Sequence, residues 1–99
     1  MKHKILLVVA ISLLCACGSF KEGMQQSANV KASLDKTFDA NTFVGFNTMN
    51  GSLRTVNVTF DKLPSGKSLD DIIKEVKTSI ASEFKESPQQ IVIAFSVKP

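Results

Sequence analysis

The sequence has 99 residues, of which 43% are hydrophobic and 21% charged, a composition that fits one small globular domain. The formal net charge is +3, but Arg54 is the only arginine, so the sequence offers little for recognising nucleic-acid phosphates. The single histidine is His3 and the two cysteines are Cys15 and Cys17, so the sequence after residue 17 contains neither residue type. This argues against Ser/His or Cys/His catalysis and against a Cys/His zinc site.

The N-terminus has the pattern of an export signal. Lys2 and Lys4 precede an apolar run, residues 5–14, that is broken only by Ser12. At a rise of about 1.5 Å per residue, a helix of this length does not cross a hydrocarbon core of about 30 Å. The run is therefore typical of the apolar region of a signal peptide rather than of a membrane-spanning helix.

The apolar run ends in Leu-Cys-Ala-Cys, residues 14–17. This segment resembles the lipobox of bacterial lipoproteins: Leu14, Ala16 and Cys17 stand at the matching positions, and Cys15 is a less usual small residue. Cys15 itself is a poor acceptor, because the bulky Leu14 would then occupy the cleavage position. An ordinary secretory signal with two incidental cysteines is the alternative.

The resemblance implies a lipid-anchored protein of the cell envelope. It makes residues 1–16 a lipoprotein signal peptide and places acyl chains, such as palmitate, on Cys17. Gly18 in place of Asp implies the outer membrane as the destination in a Gram-negative cell. Removal of the signal leaves ten basic and nine acidic residues, so the basic balance of the full sequence does not point to nucleic acid.

A tether is expected between the lipid and the folded part. Residues 17–29 would carry the lipid and form a flexible spacer, because small and polar side chains dominate there without apolar periodicity. Residues 30–99 would then form a single domain.

The first segment of that domain fits two patterns. Within residues 30–38, Val30, Leu34 and Phe38 repeat at helical spacing, whereas Val30, Ala32 and Leu34 alternate as in a strand. The composition leans toward helix, but both interpretations stay open.

A β-hairpin is predicted next. Residues 42–48 and 53–60 are rich in β-branched and aromatic side chains, which favour strands. Asn50-Gly51 lies between them and is a strong hairpin signal.

The register of this hairpin follows from the apolar side chains. A three-residue loop, residues 49–51, pairs Val44 with Val56 and Phe46 with Arg54, whereas a two-residue loop mixes the two faces of the sheet. We therefore predict the three-residue loop. The face it assembles consists of Val44, Phe46, Val56, Val58 and Phe60.

An amphipathic helix is predicted after a turn at residues 63–66. Ser68 is suited to be its N-cap, and Asp70 and Asp71 place acids in the first turn. The apolar spacing continues to about Lys85. The side chains on that face are Leu69, Ile72, Ile73, Val76, Ile80 and Phe84.

A last strand at residues 91–97 completes the predicted fold. It lies either beside the second strand and parallel to it, or beside the first strand and antiparallel to it. The fold class is α+β: a small β-β-α-β domain in which one amphipathic helix packs on a three- or four-stranded, mainly antiparallel sheet. Residues 30–34 would supply the fourth strand.

One segment has the outline of a ligand loop. Residues 61–68 end in Gly-Lys-Ser like a P-loop, but Asp61 stands where a phosphate loop needs glycine, and Pro64 removes an N–H donor. As a calcium loop the segment fails because Leu63 and Ile72 occupy positions that need oxygen ligands. The sequence therefore predicts no nucleotide, metal or cofactor, and so small a domain leaves little room for an enzyme cleft.

Two functions remain for such a chain. One is a non-catalytic binding or accessory module that holds a protein partner in the envelope; the other is a structural component that associates with copies of itself. The last strand is an edge in both sheet orders, yet it carries no charge within residues 91–97, and such edges pair with other chains unless they are covered. Unless residues 30–34 cover it, the candidate partner edge consists of Ile91, Ile93, Phe95 and Val97.

Overall fold

Two helices and three strands form the part of the chain that the structure, a computed structural model, describes, namely residues 21–99. In chain order these elements are α1 (21–38), β1 (Thr42–Met49), β2 (Ser52–Phe60), α2 (Leu69–Glu83) and β3 (Gln90–Phe95). Both helices contribute to a core that packs against the sheet. The predicted α+β class and the β-β-α-β order are confirmed, with α1 in front of them.

Helix α1 occupies most of the segment that the sequence predicted to be a flexible tether. Residues 21–29 belong to this helix, so the flexible spacer predicted for residues 17–29 is wrong from residue 21 onward. The buried positions in these first turns are Gly23 and Ser27. The sequence pattern missed them because neither has a large apolar side chain, although a helix that lies close to a neighbour needs small residues there. Residues 1–20, with the predicted signal peptide and Cys17, lie outside the described residues.

The remainder of α1 resolves the ambiguity of residues 30–38 in favour of helix. Val30, Leu34 and Phe38 are all buried, as the helical spacing requires. The ring of Phe38 meets that of Phe60 edge to face, with ring centroids 5.4 Å apart. Residues 30–34 therefore do not form a fourth strand, and the sheet of the described chain has three strands.

The β1–β2 hairpin turns on two residues, and the predicted three-residue loop is wrong. Met49 pairs with Ser52, which leaves Asn50 and Gly51 as the loop. Their φ angles are +54° and +80°. A two-residue loop with both φ angles positive matches the twist of the flanking strands, and Asn-Gly suits it because both residues tolerate left-handed backbone.

A β-bulge at Arg54 explains why the prediction failed. The register passes from Asn47 opposite Thr55 to Thr48 opposite Leu53, so Arg54 is an extra residue on β2. The extra residue reverses the alternation of side chains, and Leu53 turns to the core side together with the apolar residues further along the strand. The buried residues of β2 are Leu53, Val56, Val58 and Phe60.

The hairpin has the predicted apolar face even though its register differs from the prediction. Val44 lies opposite Val58 rather than Val56, and Phe46 lies opposite Val56 rather than Arg54. Both β1 side chains pack against the core, as predicted. The strands therefore share the predicted face but pair two residues away from the predicted partners.

The sheet order is β1-β2-β3. β1 is antiparallel to β2, and β3 is parallel to β2, from Gln90 opposite Thr55 to Phe95 opposite Phe60. The sheet is thus mixed rather than mainly antiparallel as predicted, and β3 takes the parallel position of the two that the sequence left open. This is possible because α2 carries the chain back to the end of the sheet from which β2 starts.

Helix α2 begins and ends close to the predicted residues. The hydroxyl of Ser68 accepts a hydrogen bond from the backbone N–H of Asp71 at 3.1 Å, as expected of an N-cap. At the other end the backbone N–H of Phe84 donates to the carbonyl oxygen of Ile80 at 2.9 Å. The core side of the helix region comprises Ile72, Val76, Ile80 and Phe84.

Two residues assigned to the apolar face of α2 do not reach the core. Leu69 is 58% exposed and Ile73 is 36% exposed. Both lie on the flank of the buried stripe, one turn apart.

Candidate functional site

The outer edge of β3 is the feature that the sequence singled out. β3 pairs with β2 on one side only, and no strand among residues 21–99 pairs with its other side. The strand contains neither proline nor a charged side chain. Edge strands usually carry such residues because they prevent pairing with other chains. β3 is therefore an unprotected edge in the described part of the chain.

Three of the four predicted edge residues lie within this strand. Ile91, Ile93 and Phe95 are half-buried and pack against the core. The Phe95 ring is stacked on Phe60, with ring centroids 5.4 Å apart and planes inclined by 24°. Val97 lies beyond the end of β3 and is 83% exposed, so it does not share their position.

A groove runs between β3 and α2, and the sequence did not predict it. Its volume is about 650 Å³. Leu69 and Ile73 form the helix wall, and the half-buried side chains of β3 form the opposite wall. The residues that line it are Leu69, Ile73, Lys77, Pro88, Gln89, Gln90, Ile91, Ile93 and Phe95. The sequence signal for the groove was the apolar stripe on α2, which is wider than the part of the helix that is buried in the core.

The electrostatics of this groove are simple. Among its lining residues Lys77 is the only one that carries a charge, and it stands one turn after Ile73 on the exposed flank of the helix. The other polar groups are the side-chain amides of Gln89 and Gln90 at one end. An apolar floor with a few polar groups at the margin binds apolar side chains rather than a charged small molecule.

The densest polar cluster of the described chain lies elsewhere and has a structural role. Lys31 Nζ donates to Asp35 Oδ2 at 2.7 Å, to Asn41 Oδ1 at 2.8 Å and to the carbonyl oxygen of Thr42 at 2.8 Å. Asp35 Oδ1 accepts from the backbone N–H of Thr42 at 2.7 Å and from its hydroxyl at 2.8 Å. The cluster fastens the end of α1 to the start of β1.

The pKa of Asp35 reflects these contacts. Partial burial acts to raise it, but the hydrogen bonds from Lys31 and Thr42 and the charge of Lys31 together hold the pKa of Asp35 below its usual value. The carboxylate is thus stabilised as an acceptor, which suits a fastening role and not that of a proton donor.

Over residues 21–99 there is no group of three or more His, Cys, Asp or Glu side chains placed to hold a metal ion. In the same range no helix combines the length and the apolar character needed to cross a bilayer. The Gly-Lys-Ser segment ends in Ser68, whose hydroxyl is engaged as the N-cap of α2.

Comparison with known proteins adds no relative. The chain matches no protein-family model, no curated protein and no solved structure. The features of the chain that point to a function are therefore the predicted lipid site at Cys17, which lies outside the described residues, and the β3 edge with its groove.

Proposed function

We propose that the chain is a lipid-anchored, non-catalytic binding module of the bacterial cell envelope, and that it holds a protein partner on the outer edge of β3. The observation that carries the proposal is the combination of an unprotected strand edge with an apolar groove beside it. Either feature alone is common on small domains, but together they offer both backbone and side-chain recognition to one extended segment.

The expected partner segment is a β-strand with alternating apolar residues. A strand added to β3 would satisfy the unpaired backbone groups along that edge. Its alternate side chains would point to the side of the sheet on which α2 packs, because successive residues of a strand point to opposite faces. Those side chains would cover Leu69 and Ile73, which water now reaches.

The lipid anchor is proposed from the resemblance of residues 14–17 to a lipobox. In the lipoprotein pattern Cys17 becomes the first residue after cleavage and carries two or three acyl chains. More than one chain is needed because each buried CH₂ contributes only about 0.8 kcal/mol, and a single acyl chain binds membranes reversibly. The anchor would confine the module to a membrane of the envelope, and to the outer membrane in a Gram-negative cell.

Metabolic labelling tests the anchor. Cells that express the full chain would be grown with a clickable fatty acid, and the protein is expected to carry the label. Cys17→Ser should abolish labelling, and Cys15→Ser, the matched control two residues away, should leave it intact. The opposite pattern would contradict the assignment of Cys17.

Charged substitutions on the two edges of the sheet test the binding role. Ala94 in β3 and Asn47 in β1 are both exposed, so a lysine at either position should leave the fold intact. Ala94→Lys should abolish capture of a partner from envelope extract, whereas Asn47→Lys should not. If the two variants capture equally well, binding does not use the β3 edge.

The oligomeric state separates the proposed function from self-association. The purified protein is expected to be a monomer in analytical ultracentrifugation, and amide exchange along the outer side of β3 should slow only when a partner is added. If the protein is instead an oligomer that Ala94→Lys dissociates, then a second copy occupies the edge.

A further inference from the structure

The described domain has two distinct ends. At one end, which we call the hairpin end, the start of α1 meets the β1–β2 loop and the residues after α2. Glu22 Oε1 lies 2.6 Å from Lys85 Nζ, and Glu86 Oε1 accepts the backbone N–H of Leu53 at 3.1 Å. A small cavity of about 220 Å³ lies among these residues and reaches Gly51 of the loop.

The opposite end, the turn end, holds the end of α1 and the turn before α2. There the backbone N–H of Asp61 donates to the carbonyl oxygen of Asn41 at 3.1 Å, and Asp61 Oδ1 accepts the backbone N–H of Asn41 at 3.2 Å. β2 connects the two ends with nine residues. At about 3.3 Å per residue the ends are separated by roughly 26 Å.

The distance between the predicted lipid and the domain is short. Because α1 includes residue 21, only residues 18–20 separate Cys17 from the first described residue of the helix. Four residue steps span at most about 14 Å even when fully extended. Whatever the conformation of those residues, the start of α1 must stay within that distance of the Cα atom of Cys17, and the turn end lies about a strand length from the start of α1.

The side chains at the hairpin end suit a membrane surface. Met49, at the hairpin, is 54% exposed. Its sulfur lies 3.0 Å from Arg54 Nη1, which places a cation beside an apolar side chain. Lys85 is exposed, but its charge is offset by the ion pair with Glu22, and Glu86 accepts from a backbone N–H, so Lys21 and Arg54 supply the excess positive charge of this end. Apolar side chains with neighbouring cations are the composition that the headgroup region attracts.

We propose that the hairpin end, defined by residues 21–23, 49–54 and 85–86, rests on the headgroup region of the membrane that the acyl chains enter. The turn end then points away from the bilayer. This orientation rests on the lipid anchor of the proposed function and goes beyond it, because an anchor on a long flexible spacer would leave the domain free to tumble.

Single cysteines introduced by matched substitutions test the orientation. Ser52 at the hairpin end and Ser65 at the turn end are both exposed. The only native cysteines are Cys15, which cleavage removes, and Cys17, whose sulfur the lipid occupies. A fluorophore therefore attaches only to Ser52→Cys or to Ser65→Cys in the mature acylated protein.

The labelled protein would be reconstituted in phosphatidylethanolamine–phosphatidylglycerol vesicles that contain lipids with nitroxide-bearing headgroups. We expect loss of fluorescence at position 52 and none at position 65. Ser87→Cys, in the exposed segment after α2, serves as a second reporter of the hairpin end should a label at position 52 disturb the loop, and it should also be quenched. Circular dichroism of each labelled variant verifies that it is folded.

Two results would overturn the proposal, and they are distinguishable. If the protein is acylated and vesicle-bound but Ser65→Cys is quenched as strongly as the two hairpin-end reporters, then the orientation is wrong while the lipid anchor stands. If the mass of the purified protein shows no acyl chains at Cys17 and the vesicles do not retain it, then the anchor itself is wrong and the orientation fails with it.

Discussion

Two isoleucines on α2 allow the core and the groove to be tested separately. Ile80 is 1% exposed and lies in the core, whereas Ile73 is 36% exposed and lines the groove beside β3. Replacing either with alanine removes the same atoms from the same helix. The gain in helix propensity is therefore also the same and cancels when the two variants are compared.

The expected losses differ because only one site is closed. Removing three carbons from Ile80 costs about 2.4 kcal/mol in transfer free energy, and the cavity left in a packed core brings the total to roughly 2–5 kcal/mol. At Ile73 water already reaches about a third of the residue, and the groove is open, so the loss should be about 1.5 kcal/mol or less. A domain of this size has a total stability of about 4–12 kcal/mol, so the difference is measurable.

Urea unfolding followed by far-ultraviolet circular dichroism gives the two values. Fluorescence is unsuitable because the chain contains neither tryptophan nor tyrosine. Ile80→Ala should lower the midpoint strongly at an unchanged dependence on urea. Ile73→Ala should lower it little and should weaken partner binding instead. Equal losses of stability would refute the reasoning, since they would mean that Ile73 is as buried as Ile80.

Two further substitutions test contacts of α1. The folded-state pKa of Asp35 lies below the unfolded value of about 3.9. The stabilising contribution of Asp35 is therefore complete above that pH and disappears as the pH falls through the folded pKa. In Asp35→Asn, the free energy of unfolding should consequently decrease less steeply as the pH is lowered from 5. A Cβ at Gly23 would lie 2.6 Å from Phe46 Cζ, so Gly23→Leu should destabilise the domain by about 1–3 kcal/mol in urea unfolding, whereas Ala28→Leu at an exposed position of the same helix should change stability by no more than about 0.5 kcal/mol.

Local signals in the sequence predicted much of the fold. The spacing of apolar residues and the serine N-cap placed α2 within about two residues of its observed ends, and Asn50-Gly51 placed the hairpin. These elements depend on neighbours along the chain, which a single sequence displays. The first turns of α1 were missed because small residues at Gly23 and Ser27 mark a close approach to another element, and a sequence does not say what that element is.

The register error has a different physical origin. A regular alternation along β2 would place Leu53 on the face opposite Val56. With that alternation, only a three-residue loop keeps the apolar residues of β1 and β2 on one face. The chain instead keeps the tight Asn50-Gly51 loop and absorbs the mismatch as a bulge at Arg54. A bulge is set by the fit of both strands to a common core, so the choice between a longer loop and an extra residue is not made locally.

The sequence predicted the edge strand of the candidate site but not the groove beside it. The apolar, uncharged character of β3 and its place at the end of the chain indicated an edge whichever order the sheet adopted. The groove was not indicated, because Leu69 and Ile73 look like core residues on a helical wheel. Whether an apolar flank is buried depends on how far the sheet extends beneath the helix, and here β3 is its last strand.

The position of α1 links the two proposals. β3 starts opposite Thr55 near the hairpin end and finishes opposite Phe60 near the turn end, so it runs from one end of the domain toward the other. If the hairpin end rests on headgroups, the free edge of β3 runs from the bilayer outward and stays accessible along its length. A partner strand would then have to approach within the first few tens of ångströms of the membrane, because the short connection to Cys17 does not let the domain reach further. Lengthening that connection with a Gly/Ser insert before residue 21 should therefore release the hairpin end from the membrane without weakening binding at the β3 edge. Simultaneous loss of both would mean that the partner recognises the membrane-bound orientation and not the strand edge alone.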